Sequence, residues 1–214
     1  FRAALDLSGS EDVALVLRGG SSDELSSSFN REQVNVIVSA PGIRRDALGP
    51  VASPEFYTIV DLPMRSTGTA ANVPFRGVTS RATDVRTGFR IVAGRMFEPG
   101  KDEVIVGRGA FTQFGNVDLG REVLWGSHRW RVVGVFEAGG SVSESEVWTD
   151  LTVLQGVYRR GNSVQVVRAQ LTSPAELEGV KQWLDADPRV NVSVRSEREF
   201  YAEQSRILVA IIRY

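Results

Sequence analysis

The apolar positions of this chain change their spacing repeatedly, and the changes mark its elements. Residues 12–18 (DVALVLR) form a continuous apolar run closed by Gly19-Gly20, the pattern of a short buried strand. Residues 21–28 are polar and Ser-rich and read as a loop. Asn30, followed three positions later by Gln33, carries the reciprocal capping signature of a helix start. Val34, Ile37 and Val38 then share one helical face, and Pro41-Gly42 stops the run. By composition residues 33–38 would also suit a strand; the cap and the spacing favour helix. Residues 43–64 read as extended, with Pro50, Pro54 and Pro63 pointing to an edge or bent strand. After a small-residue tip at 66–72, residues 73–80 alternate Val73, Phe75, Gly77 and Thr79 against mostly polar neighbours, which predicts a half-exposed strand. Phe97-Glu98-Pro99-Gly100 is a turn sequence.

The clearest β unit is residues 121–136. Gly126-Ser127 supplies a two-residue turn between Val123-Leu124-Trp125 and Trp130-Arg131-Val132-Val133. Val153-Leu154 and Val157-Tyr158 recur at helical spacing behind Asp150 or Thr152 as cap. Residues 163–171 predict a strand, Ser173-Pro174 a capped helix start, and Leu177, Val180 and Leu184 its buried face. Asp187-Pro188 ends that helix, residues 190–194 predict a strand, and Ser196 with Glu199 predicts the cap of a final helix. A strand–helix–strand unit thus stands at each end of the chain. The expected fold is α+β: a split βαβ, ferredoxin-like subdomain from residues 1–52 and 161–200, with an inserted β-rich subdomain at 53–160. Residues 201–214 continue the last helix.

Composition narrows the function. The 214 residues suffice for one large domain or two small ones. Net charge is −1, with 25 basic and 26 acidic residues well mixed. No basic field exists to neutralise phosphates, so nucleic acid is not an expected partner. Cys is absent, which removes thiolate nucleophiles, disulfides and cysteine metal sites together. No run of apolar residues is long enough to span a bilayer.

The candidate chemistry is thin. His128 is the single His and sits at the hairpin turn, where it reads as a solvated side chain with no second imidazole for a metal. Gly139-Gly140-Ser141-Val142-Ser143 lacks the spacing of a nucleophile elbow, so no Ser-His-Asp triad is expected. Gly107-Arg108-Gly109 has Thr112 where a dinucleotide loop needs its third Gly, and reads as a tight strand-to-helix turn. There is no phosphate loop for ATP. The carboxylate pairs Asp102-Glu103, Glu144/Glu146 and Asp185/Asp187 fall at turns and helix ends, where they read as solvated caps. Asn191-Val192-Ser193 matches a glycosylation acceptor inside an expected strand, a chance match. Trp125, Trp130, Trp148 and Trp183 read as core anchors, one or two of them left partly exposed. No catalytic, cofactor-binding or metal-ligating residue is assigned, and no enzyme activity or cofactor is expected.

An ordered set of segments carries more information than any of these. It comprises EVIVGRG (103–109), WRVVGVF (130–136), SEVWTD (145–150), the strand–Ser-Pro helix–strand of 163–195, and the Tyr/Glu/Gln-rich helix entry of 200–205. In order and spacing these resemble the extracytoplasmic domain of MacB-type (FtsX-like) ABC transporter permeases, between the first two transmembrane helices. The resemblance implies a porter module built from the two terminal βαβ units and a smaller β-rich module. It implies a non-catalytic periplasmic domain that passes ATP-driven membrane motion to export or extraction of a substrate. Implied partners are a second permease copy, as homodimer or heterodimer, and a cytoplasmic ABC ATPase. No motif for a periplasmic adaptor is identifiable. The start at Phe1 without Met, and the uncharged stretch 207–212 after charged helical turns, lead to the expectation of an internal segment whose last helix continues into a membrane span. The alternative is a free periplasmic module that binds a ligand or peptide.

Overall fold

The computed structural model describes residues 9–212, with Leu208, Val209, Ile211 and Ile212 described as helical backbone alone. The expectations about Phe1 and Arg213-Tyr214 lie outside the described residues. In chain order the elements are β1 (Val13–Arg18), α1 (Arg31–Val38), β2 (Arg45–Asp46), β3 (Gly49–Pro50), β4 (Ala52–Pro63), β5 (Ala70–Val78) and β6 (Phe89–Gly94). There follow β7 (Glu103–Gly107), α2 (Arg108–Gln113), β8 (Glu122–Trp125), β9 (His128–Ala138), β10 (Val147–Asp150) and α3 (Leu151–Val157). The last are β11 (Val166–Gln170), α4 (Leu177–Asp185), β12 (Val192–Ser196) and α5 (Glu197–Ile212).

Two compact units divide the chain. The first takes residues 9–54, Ser80–Val85 and 163–212; the second takes Glu55–Thr79 and Arg86–Asn162. Ser80–Val85, inside the insert expected at 53–160, belongs to the first unit and opens with the 3-10 turn Ser80–Thr83.

In the first unit β1 lies between β11 and β12 and runs antiparallel to both, with Ala14 facing Ala169 on one side and Ser196 on the other. The start of β4 follows β11, giving the order β12-β1-β11-β4. With α1 between β1 and β4 and α4 between β11 and β12, this is the split βαβ arrangement. Residues 13–17 and 166–170 therefore share one sheet despite their separation in sequence. Local sequence decides the helix starts. Asn30 Oδ1 accepts from the Gln33 amide at 2.9 Å while Gln33 Oε1 accepts from the Asn30 amide at 2.9 Å, a complete capping box. Ser173 makes no side-chain cap; Pro174–Glu176 instead forms a 3-10 turn leading into α4. Leu15, Val16, Ile37, Val167, Ala169, Val180 and Leu184 form the buried core.

The second unit is a mixed sheet in the order β4-β5-β10-β7-β9-β6, with β8 paired to β9. β5–β10 and β7–β9 are parallel; β4–β5, β10–β7 and β9–β6 are antiparallel. β4 is not the edge strand of the whole sheet that its prolines allow: it follows β11 at its start and pairs with β5 from Phe56 to Pro63. The β8–β9 hairpin turns at Gly126-Ser127, where Trp125 faces His128 and Gly126 takes φ +61°. Asp150 caps α3 by accepting from the Val153 amide at 3.3 Å. Trp130 and Trp148 are core anchors: Phe75 meets Trp130 edge-on at 5.1 Å, and Phe136 meets Trp148 at 4.6 Å. Trp183, in the first unit, is half-buried.

Candidate functional site

The residues singled out for chemistry do not converge. His128 Nε2 lies 2.8 Å from Asp102 Oδ1, and its ring sits 4.6 Å from the Trp130 ring. It is therefore a partnered, half-exposed side chain rather than the freely solvated one the hairpin position suggested. Gly107 is needed for packing: a Cβ there would fall 2.3 Å from the Glu144 carbonyl oxygen. The Gly-Arg-Gly turn is thus a close approach between β7 and the 3-10 segment Val142–Ser145. Among the described residues no group of three or more His, Asp or Glu side chains is placed to hold a metal.

Two of the expected surface carboxylates turn out to be buried. Glu103 is 7% exposed and pairs with Arg95, whose guanidinium beside it holds the carboxyl below its ordinary value. Glu146 is 3% exposed and accepts two bonds from Arg76, Nε at 3.1 Å and an Nη at 2.7 Å. Arg76 is itself 1% exposed, although the alternation of residues 73–80 placed it on a solvated face. The strand is buried on both faces: α3 covers Gly77, and on the opposite face Arg76 packs among Glu55, Glu146 and the Tyr57 ring. Arg76 also reaches Glu55 at 3.1 Å, and Glu55 takes two bonds from Arg86, at 2.7 and 2.8 Å. Trp148 Nε1 donates to Glu146 at 2.9 Å, and the Arg86 guanidinium lies 4.6 Å from the Trp148 ring centre. Two arginines and two glutamates therefore lock β4, β5 and β10 to the segment leading into β6. The sequence signal was an Arg inside a strand together with acidic residues in two other strand regions; the pairing needed the fold.

In the first unit a second buried arginine anchors the last helix. Arg168 on β11 is fully buried and donates to the Tyr201 hydroxyl at 2.7 Å. It lies 3.4 Å from Glu197 and 3.8 Å from Glu24. Ser196 Oγ caps α5 by accepting from the Glu199 amide at 3.1 Å, as its sequence predicts. Arg195 bridges to Glu203 at 2.5 Å, Arg198 to Glu11 at 3.1 Å, and Gln204 donates to the Ser22 carbonyl at 3.1 Å. The first two turns of α5 are thus fixed to the sheet and to the loop after β1. Further on, Ile207 is 44% exposed.

A family model described as the MacB-like periplasmic core domain matches residues 3–187. The chain belongs to that family. Solved structures agree in fold. The periplasmic region of MacB from Actinobacillus actinomycetemcomitans is similar with a TM-score of 0.59 at 12% identity, covering 94% of this chain and 92% of that one. The extracellular domain of the noncanonic ABC-type transporter YknZ from Gram-positive bacteria gives a TM-score of 0.57 at 18% identity, covering 86% and 98%. No curated protein sequence matches. In this MacB-like periplasmic core domain no described helix is long and apolar enough to cross a membrane. The anchored helix α5 and the two buried arginine networks are its most constrained polar features.

Proposed function

We infer that this MacB-like domain is a mechanical relay in an ABC transporter permease, carrying displacement from the membrane through α5 into the first unit. The observation that carries this reading is the clamp on α5: Arg168 with Tyr201 and Glu197, reinforced by Arg195–Glu203 and Gln204–Ser22. A helix without Gly or Pro from Glu197 to its end, fastened to β11 by the buried Arg168 contact and to β12 and the loop after β1 by more exposed ones, moves with the sheet rather than against it. On this reading the domain is periplasmic and has no catalytic role. It works in a pair with a second permease copy, and ATP hydrolysis is supplied by an ABC ATPase on the cytoplasmic side.

The test is insertion of Gly-Gly between Ser205 and Arg206 in the full permease. Each Gly costs roughly 1 kcal/mol of helix stability, too little to unfold a domain but enough to make a joint. Assembly should persist while ATP hydrolysis no longer drives export. Normal export at normal expression would contradict the relay.

A further inference from the structure

The second unit has a groove that its core does not require. It lies between α2 and the end strand β6, with a volume of about 360 Å³. Val92, Phe111 and Val135 give it apolar walls, and Arg90, Arg108 and Glu137 line its polar side. Arg90 and Glu137 are direct cross-strand neighbours on β6 and β9. Glu137 accepts from Arg90 Nε at 2.9 Å and pairs with Arg108 through its other oxygen. One carboxylate therefore serves two guanidiniums, and the site keeps a net positive charge. Both arginines remain open to solvent, at 69% and 63% side-chain exposure, and Val92 is 39% exposed.

β6 also ends the strand order of this unit. A terminal strand offers main-chain donors and acceptors along its outer side. β6 is irregular at Val92, between Ile91 and Ala93, so a strand added there would pair regularly along Phe89–Ile91 and send alternate side chains toward the face of Arg90, the side of the groove that Val92 also lines. A second copy of β6 paired antiparallel in the register centred on Arg90 would bring like charges together there. An acidic side chain meets the opposite condition.

We propose that the β6 edge and its groove dock an extended peptide segment of a partner protein, with apolar side chains against Val92 and Phe111 and an acidic side chain between Arg90 and Arg108. The main chain supplies pairing with β6, and the surplus positive charge supplies the preference for the acidic residue.

The probe is a short fluorescent peptide of alternating Val and Thr with one central Glu, titrated against the 214-residue chain by anisotropy. A peptide with Lys in place of Glu should bind about tenfold more weakly, and Arg108→Glu should reverse that order. N-methylation of alternate peptide amides should abolish binding, since it removes the main-chain donors. Arg108 is exposed, so circular dichroism of the variant should match the parent protein. Absence of binding by the Glu peptide, equal binding of the Glu and Lys peptides, or indifference to N-methylation would overturn the proposal. A dimer of the chain that Val92→Lys converts to monomer would also overturn it, by assigning the edge to self-association.

Discussion

The Arg168 guanidinium on β11 donates to the Tyr201 hydroxyl on α5 over 2.7 Å, with the arginine fully buried. This bond ties the helix to the middle of the first unit's sheet. Removing the charge leaves Glu24 and Glu197 buried beside an apolar side chain. Arg168→Met should destabilise the domain by about 3–5 kcal/mol, because an uncompensated buried charge is costly. Tyr201→Phe should cost less, about 1.5–3 kcal/mol, as one hydrogen bond to a charged group is lost. Urea unfolding with an unchanged slope and a lowered midpoint checks both.

The second unit should respond similarly at Arg76. Arg76→Met strands Glu146 and part of Glu55, for an expected loss of about 3–5 kcal/mol. Arg76→Lys should recover only part of that. A single ammonium cannot reproduce the fork that reaches both carboxylates from one planar group. Full recovery by Lys would show that charge alone, without geometry, holds these strands.

Acid sensitivity should concentrate in a few carboxylates. The Arg81 guanidinium, with help from the Leu48 amide, holds Asp46 at about 2 instead of its ordinary 3.8. A depressed carboxylate stabilises the folded state above the unfolded value and loses that contribution as the pH falls from 3.8 toward about 2. Carboxyl-carbon chemical shifts should place the Asp46 midpoint near 2, and Arg81→Ala should return it toward 3.8. An unmoved midpoint in that variant would remove Arg81 as the cause.

His128 should matter little. Its contact with Asp102 is a partly exposed hydrogen bond, worth about 0.5–1.5 kcal/mol. His128→Ala should stay within that range in thermal or urea unfolding, and export by the full permease should persist. A loss of export without a loss of stability would assign His128 a working role.

What could be read from the sequence was the local physics. The Asn30–Gln33 capping box, the Gly126-Ser127 turn and the Asp150 cap each depend on residues within three positions, so the sequence contains their whole cause. The split βαβ pattern was legible because both halves repeat one order of elements. The buried networks were not. Arg76 meets partners 21 and 70 positions away, and alternation along β5 could not reveal that carboxylates from β4 and from the residue before β10 would meet it on the outer face. Glu103 and Glu146 looked like turn carboxylates for the same reason. The Ser173 cap failed because Pro174 leads into a 3-10 turn, in which the expected side-chain bond is not made.

If the domain is a relay, α5 and the first unit move as one body. Gln204 on α5 donates to the Ser22 carbonyl at 3.1 Å and belongs to the joint, so reporters should sit beside this contact and leave it intact. The chain contains no Cys, and the exposed positions Ala202 on α5 and Lys181 on α4 would take two spin labels as Ala202→Cys with Lys181→Cys. Their separation, measured by pulsed electron resonance in the full permease, should be the same with and without ATP. A distance that shifts between the two states would mean that α5 slides on the domain, and would contradict the relay.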